Sequence, residues 1–158
     1  MKLNAKERGE QAYAYFTEGY NCAQAVTLAF ADLTGLPRET LLKLASPMGG
    51  GMGRLREVCG AVSAMFLITG LLYGYDTPET GDVKKALYAH VQDLAKRFEA
   101  EKGSYICRDL LGLSEQRQDP TPEARTQTYY ETRPCPHLVR FAAEELAQYL
   151  SEQDDGKA

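Results

Sequence analysis

Histidine is scarce in this 158-residue chain: only His90 and His137 occur. No two of the four cysteines stand as Cys-x-x-Cys, which excludes a thioredoxin motif and a zinc ribbon. No Cys-x-x-Cys-His occurs either, which excludes covalent c-type haem. Basic charge is also short. With a net charge of -4 and no basic stripe interleaved with aromatics, nucleic acid is excluded as the main partner. The first ten residues, Met1 to Glu10, lack the apolar core of a secretory signal. The compartment expected is therefore the cytoplasm, where stable structural disulfides are rare. No segment alternates in the β pattern, and no internal repeat is present.

What the chain does have is four cysteines, each at or near an expected helix start: Cys22, Cys59, Cys107 and Cys135. A helix N-terminus carries partial positive charge and free N–H donors, so it favours a thiolate over a thiol. Four such positions in one small domain suggest anionic sulfur, for a metal or for redox exchange. The competing reading is that the cysteines are small buried apolar residues.

The helical segments can be traced by period and punctuation. Ala5 to Thr17 reads as a helix ended at Gly19. Asn21 is an N-cap with Gln24 three residues on, a capping box that puts Cys22 in the first turn. Apolar residues at helical spacing continue to Leu33, and Gly35 and Pro37 stop them. Arg38 to Ala45 is a short amphipathic helix with Leu41, Leu42 and Leu44 expected inward. Val58 to Tyr75 has no charged side chain but contains several small and polar residues. It reads as a buried central helix beginning at Leu55 or Glu57, not as a membrane span. Gly81 to Lys102 is a long charged helix with a Val83, Leu87, Val91, Leu94 and Phe98 stripe. Ser104 is placed to cap a short helix holding Cys107, and residues 114–130 read as a polar loop or lid. Cys135 opens the last helix, where Pro136 suits the first turn. The expected architecture is all-α: a compact single-domain bundle of about six helices around a buried central helix. The domain spans residues 1–150, and 151–158 form a frayed polar tail.

Three features flank the cysteines. Gly49 to Gly53 precede the central helix, with no strand before them and no Gly-Lys-Ser/Thr after, so neither a P-loop nor a dinucleotide fingerprint is satisfied. Gly50, Gly51, Gly53 and Gly60 remain candidates to approach a cofactor or anion through backbone; the alternative is a tight turn. Arg54 and Arg56 precede Cys59 and would lower a thiol pKa or offset an anionic cluster. His137, two residues after Cys135, is a ligand candidate, with a solvated helix-start histidine as the plainer reading. His90 reads as surface.

The run Asn21-Cys22-Ala23-Gln24-Ala25-Val26 is followed by Gly49-Gly50-Gly51-Met52-Gly53-Arg54, then by Glu57-Val58-Cys59-Gly60-Ala61-Val62-Ser63, then by Cys107 and Cys135. In this order the segments resemble the C-GCAxxG-C-C family of redox-active proteins, over nearly the whole chain. The resemblance implies Cys22, Cys59, Cys107 and Cys135 as the functional positions. It also implies kinship with a domain of split-Soret cytochromes, where iron–sulfur binding is an expectation. Ala64 stands where the family's Cys-Gly-Ala-x-x-Gly motif has its last glycine.

The leading expectation is thus a redox protein whose four cysteines ligate one metal centre for electron transfer to or from a redox partner protein. An iron–sulfur cluster is favoured over zinc because the resemblance is to redox proteins, while a four-cysteine set suits either. A metal-free thiol–disulfide oxidoreductase or redox sensor is the alternative. A helical binding module with structural cysteines is the third.

Overall fold

The computed structural model describes residues 1–78, 81–114 and 118–156. Eight right-handed α-helices follow one another there. They are α1 Ala5–Thr17, α2 Cys22–Leu28, α3 Arg38–Ala45, α4 Gly60–Tyr73, α5 Gly81–Lys102, α6 Cys107–Leu111, α7 Gln127–Thr132 and α8 Cys135–Asp155. No strand occurs among the described residues; the one isolated β-bridge joins Val58 to Ile106. The all-α class stands.

Local capping sets the first helices. The Asn4 side chain accepts from the Glu7 amide and starts α1. At α2 the capping box is reciprocal: Gln24 N donates to Asn21 Oδ1 at 2.9 Å, and Asn21 N donates to Gln24 Oε1 at 3.1 Å. The same two side chains also donate to Ser46 O and Leu42 O, which ties the start of α2 to the α3 segment. The apolar spacing predicts α2 as far as Leu33, but it ends at Leu28. Arg8 Nη1 donates to Ala29 O at 2.6 Å, and a 3₁₀ turn, Ala31–Leu33, follows.

α4 begins later than its composition suggests. The expected start at Leu55 or Glu57 is wrong: the helix starts at Gly60 and Cys59 is its N-cap. Arg54 and Arg56 adopt positive φ, and Val58 is held in its bridge to Ile106, so none of these residues can be helical. From Gly60 to Met65 every residue is buried, as are Ile68 and Thr69. α8 is as central as α4, burying ten residues including Leu146 and Leu150, and packs against α1, α2, α4 and α5. Phe16, Phe30, Met65, Ile68, Leu94 and Phe98 complete the fully buried core.

Several inward faces are narrower than their periodicity. On α3 only Leu41 and Ala45 are buried, and Leu44 is exposed. On α5 Leu94 and Phe98 reach the core, while Val83 is exposed. His90 is not a plain surface residue. It is half-buried, stacks on Tyr73 with ring centroids 5.0 Å apart, and shares a 2.6 Å hydrogen bond with Tyr149 Oη. The segment after Leu150, expected to fray, continues α8 to Asp155. Ser151 Oγ accepts from Leu3 N at 3.0 Å, and Asp154 pairs with the Met1 amine at 2.6 Å. Among the described residues no helix is long and apolar enough to cross a membrane.

The Arg8–Asp32 pair gives the fold a measurable pH dependence. The Arg8 guanidinium, 2.5 Å from Asp32 Oδ1, holds that carboxyl below its ordinary value. Its stabilisation is present above the unfolded carboxylate range and is lost as pH falls through the lowered folded value. The Asp32 side chain is more than half exposed, so screening limits the effect to at most about 1 kcal/mol. Urea denaturation of Asp32→Asn should show that loss at neutral pH and a shallower decline below about pH 4. Parallel wild-type and variant curves over that range would remove the pair from the account.

Candidate functional site

The four cysteines occupy equivalent helical positions. Cys22, Cys107 and Cys135 are the first residues of α2, α6 and α8, and Cys59 is the N-cap of α4. All four are free thiols, and all four line one cavity of about 350 Å³. Long-range backbone packing brings them there, and a left-handed turn organises it.

Five consecutive residues, Gly50 to Arg54, have φ between 61° and 70°, and Arg56 follows at 58°. L-residues avoid this region at a cost of roughly 1–2 kcal/mol each, so a run containing Met52 and Arg54 requires support from its surroundings. The support is hydrogen bonding: Gly53 N donates to Gly49 O, Arg56 N to Gly50 O, and Glu57 N to Gly51 O. Gly51 is buried, and a Cβ there would lie 2.6 Å from Cys107 Cβ and 2.8 Å from Arg56 Cα. Gly60 is also tightly placed, though not left-handed: its Cβ would lie 2.9 Å from Met48 O and 3.2 Å from Cys22 Cβ. These two glycines let one strip of chain lie against the cysteine of α6 on one side and the cysteine of α2 on the other.

The bridge between Val58 and Ile106 fixes the next pair. Cys59 N donates to Tyr105 O at 2.9 Å, and Cys107 N donates to Glu57 O at 2.6 Å. Cys59 and Cys107 therefore flank one short antiparallel contact and cannot slide past each other. The remaining pair meets where α2 packs on α8. There Cys22 and Cys135 act on each other more strongly than on the other two thiols.

Burial and charge oppose each other at these sulfurs. Burial pushes the Cys59 thiol up to about 12, against a smaller pull from the Ala61 and Val62 amides. Burial also raises Cys107, opposed by Arg56, whose Nη1 lies 3.5 Å from the sulfur. Cys22 is raised well above its ordinary value, first by its interaction with Cys135 and then by burial. Cys135 is lowered to about 7, first by Cys22, with help from Arg133, the Tyr129 hydroxyl and Arg125. Burial and the neighbouring sulfur charge raise Tyr129, so its phenol stays protonated and able to donate.

The predicted residues divide as follows. Gly50, Gly51, Gly53 and Gly60 all line the cavity beside the cysteines, as do Arg54 and Arg56. Arg56 meets Cys107, not the adjacent Cys59. His137 is exposed and faces a separate groove with Ser104 and Asp109. Ser104 does not cap α6; its hydroxyl accepts from Ile106 N, and Ile106 is the N-cap. Ala64, in place of the motif glycine, is fully buried in the core. Of the polar loop, Gln116 lies outside the described residues, while Pro120, Pro122, Glu123 and Arg125 form one wall of the cavity. Arg125, Tyr129 and Arg133 are the site residues that sequence reasoning missed. Their only local signal is Arg133 standing two residues before Cys135. Among the described residues no group of three or more His, Cys, Asp or Glu side chains is gathered closely enough to hold a single metal ion.

A family model described as "Putative redox-active protein (C_GCAxxG_C_C)" matches residues 20–149. The chain belongs to this family. No curated protein and no solved structure matches it.

Two measurements test the site. Brief iodoacetamide treatment of metal-free protein at about pH 7.5 should modify Cys135 first and Cys59 last, because the thiolate is the reacting form. Peptide mass spectrometry reads the order, and early modification of Cys59 would contradict the assignment. Gly51→Ala should lower stability by more than about 2 kcal/mol, through clash added to left-handed strain. Gly53→Ala, whose Cβ meets nothing within 4 Å, should cost only the strain, about 1–2 kcal/mol. Equal losses in the two variants would rule out the close approach at Gly51.

Proposed function

Taking a redox-active family as the premise, we propose that this protein transfers electrons through an iron–sulfur centre held by Cys22, Cys59, Cys107 and Cys135. The observation that carries the reading is the pairing of four cysteines with two buried-side guanidiniums that have no carboxylate partner among the described contacts. Arg56 donates to Gln118 Oε1 and to Cys107 Sγ, and Arg125 donates to Phe16 O, Tyr20 O and Tyr130 Oη. A buried cation requires compensating negative charge; the Glu123 carboxylate on the cavity wall is taken by Arg133, and the group that faces Arg56 is the Cys107 sulfur.

The donor set fits a cluster. A four-cysteine zinc site draws its sulfurs to about 2.3 Å from one point. Here the four cysteines line a cavity of about 350 Å³, which suits a group larger than one ion. Gly51 and Gly60 let the backbone lie close against Cys107 and Cys22 on that cavity's wall. When bound, the cluster would supply one-electron chemistry at a potential set by nearby charge and hydrogen bonds. The chain would hold the sulfurs as thiolates, offset their charge with Arg56, Arg125 and Arg133, and donate a phenolic hydrogen bond from Tyr129. Leu110, Leu111 and Leu138 would exclude water from the far wall.

A specific observation favours a second reading. Cys22 and Cys135 open two helices that line one cavity, and Cys135 is lowered to about 7 first by Cys22, which suits a reactive dithiol. Oxidation of the Cys22 thiol and the Cys135 thiolate would join the two sulfurs, releasing the one proton held by Cys22 and passing two electrons to an acceptor. Cys59 and Cys107 would then be supporting thiols.

Anaerobic purification, with iron, zinc and acid-labile sulfide analysis, separates the two. The cluster reading expects iron and sulfide in comparable amounts, lost in Cys59→Ser and largely kept in His137→Ala, since serine is a poor ligand for soft metals. Metal-free protein in which Cys22 and Cys135 form one reversible disulfide would replace it with the dithiol reading.

A further inference from the structure

The buried Arg56 has a neutral anchor. Its side chain is 5% exposed, and its Nε and Nη2 donate to Gln118 Oε1 at 3.0 and 2.6 Å. The same oxygen accepts from Arg54 Nη2 at 3.1 Å, so one amide carbonyl gathers three guanidinium N–H groups. Gln118 is itself fixed, because its backbone N donates to Arg54 O at 2.9 Å and Arg54 Nε donates to Asp119 O at 2.6 Å. With Nε and Nη2 committed to Gln118, Arg56 turns Nη1 to Cys107 Sγ at 3.5 Å.

The nearby carboxylates are engaged elsewhere. Glu57 pairs with Arg108, Glu123 pairs with Arg133 and approaches Arg54 at 3.9 Å, and Asp119 Oδ1 accepts from Thr121 N. A carboxylate at position 118 would bind the two arginines more strongly than an amide does. It would also neutralise the charge that now faces sulfur. An amide in that place gives up stability and leaves the positive charge directed at Cys107.

We infer that Gln118 is a positioning residue of the redox centre: it aims Arg56 at Cys107 and, being neutral, leaves the guanidinium's charge to act on the sulfur. The inference deepens the four-cysteine reading above and rests on it for its role in redox tuning. The contact with Cys107 exists whether or not a cluster binds.

The decisive variant is Gln118→Glu, nearly isosteric and able to accept the same three hydrogen bonds. In metal-free protein its melting temperature should equal or exceed that of wild type. Cys107 should react with iodoacetamide about tenfold more slowly, measured against Cys59 in the same sample, because a full negative charge now screens Arg56 from the sulfur. In protein reconstituted with iron and sulfide, the ratio of reduced to oxidised centre at a fixed poise should fall about tenfold, since added negative charge disfavours the more negative reduced state. Gln118→Met, which removes the acceptor without adding charge, should lower the melting temperature and slow Cys107 by about two- to threefold, as Arg56 loses its aim. It also stands in should the glutamate variant fail to fold. A melting temperature that moves while Cys107 reactivity stays at the wild-type value in both variants would reduce Gln118 to a structural residue and overturn the inference. Wild-type protein that takes up no iron and sulfide would sink the cluster reading alone, leaving the Cys107 rates to decide the role of Gln118.

Discussion

The cysteine cavity depends on close backbone approach at two residues without side chains. At Gly51 a Cβ would lie 2.6 Å from Cys107 Cβ, and at Gly60 it would lie 2.9 Å from Met48 O and 3.2 Å from Cys22 Cβ. Between these two contacts the chain also carries Cys59 and Arg56, so three cysteines and a cation are positioned by one short segment. The left-handed run Gly50 to Arg54 is what brings that strip into place. Strain of this kind persists only where the surroundings over-determine it, and it clusters at functional sites. Here the hydrogen bonds from Arg56 and Glu57 back to Gly50 and Gly51 hold it.

Burial and charge then set the chemistry. Cys59, Cys107 and Cys135 are all buried, which by itself raises a thiol and makes it inert. The site counters this with cations, of which Arg56 and Arg125 have no carboxylate contact among the described residues while Arg133 pairs with Glu123. Cys135 is acted on first by Cys22, then by Arg133, Tyr129 and Arg125, and falls to about 7, while burial dominates at Cys59 and raises it to about 12. The four sulfurs are thus unequal before any metal or oxidant acts on them. Each reading of the function uses this inequality: a cluster needs its anionic ligands compensated, and a dithiol needs one reactive partner.

Much of the local structure was legible. The bounds of α1, α3 and α5, the Asn21–Gln24 capping box and the burial of Gly60 to Met65 follow from caps, period and composition. The failures share a cause, which is that distant groups overrode local preference. α2 stops early because Arg8 takes the Ala29 carbonyl, and α4 starts late because Val58 pairs with Ile106. α8 runs past Leu150 because Leu3 and the Met1 amine reach its end. His90 looks like a surface residue on a charged helix until Tyr73 and Tyr149 close around it. Tyr129 and Arg125 had no local signal at all, since each acts on a cysteine through folding of a polar segment that carries no motif.

The amino-acid sequence by itself determined the helical class, the capped helix start at Cys22, and the family to which the order of motifs belongs. These follow from rules with a reach of about one helical turn, such as caps, 3.6-residue periodicity and glycine punctuation. Only the tertiary structure decided that four helix starts share one cavity, and that Arg56 serves Cys107 instead of its neighbour Cys59. It also decided that Cys135, and not Cys59, is the cysteine whose thiol is lowered. Those outcomes depend on backbone approach between segments far apart in the chain, and on which charges burial leaves without a counter-ion. Neither is encoded in the spacing of any motif.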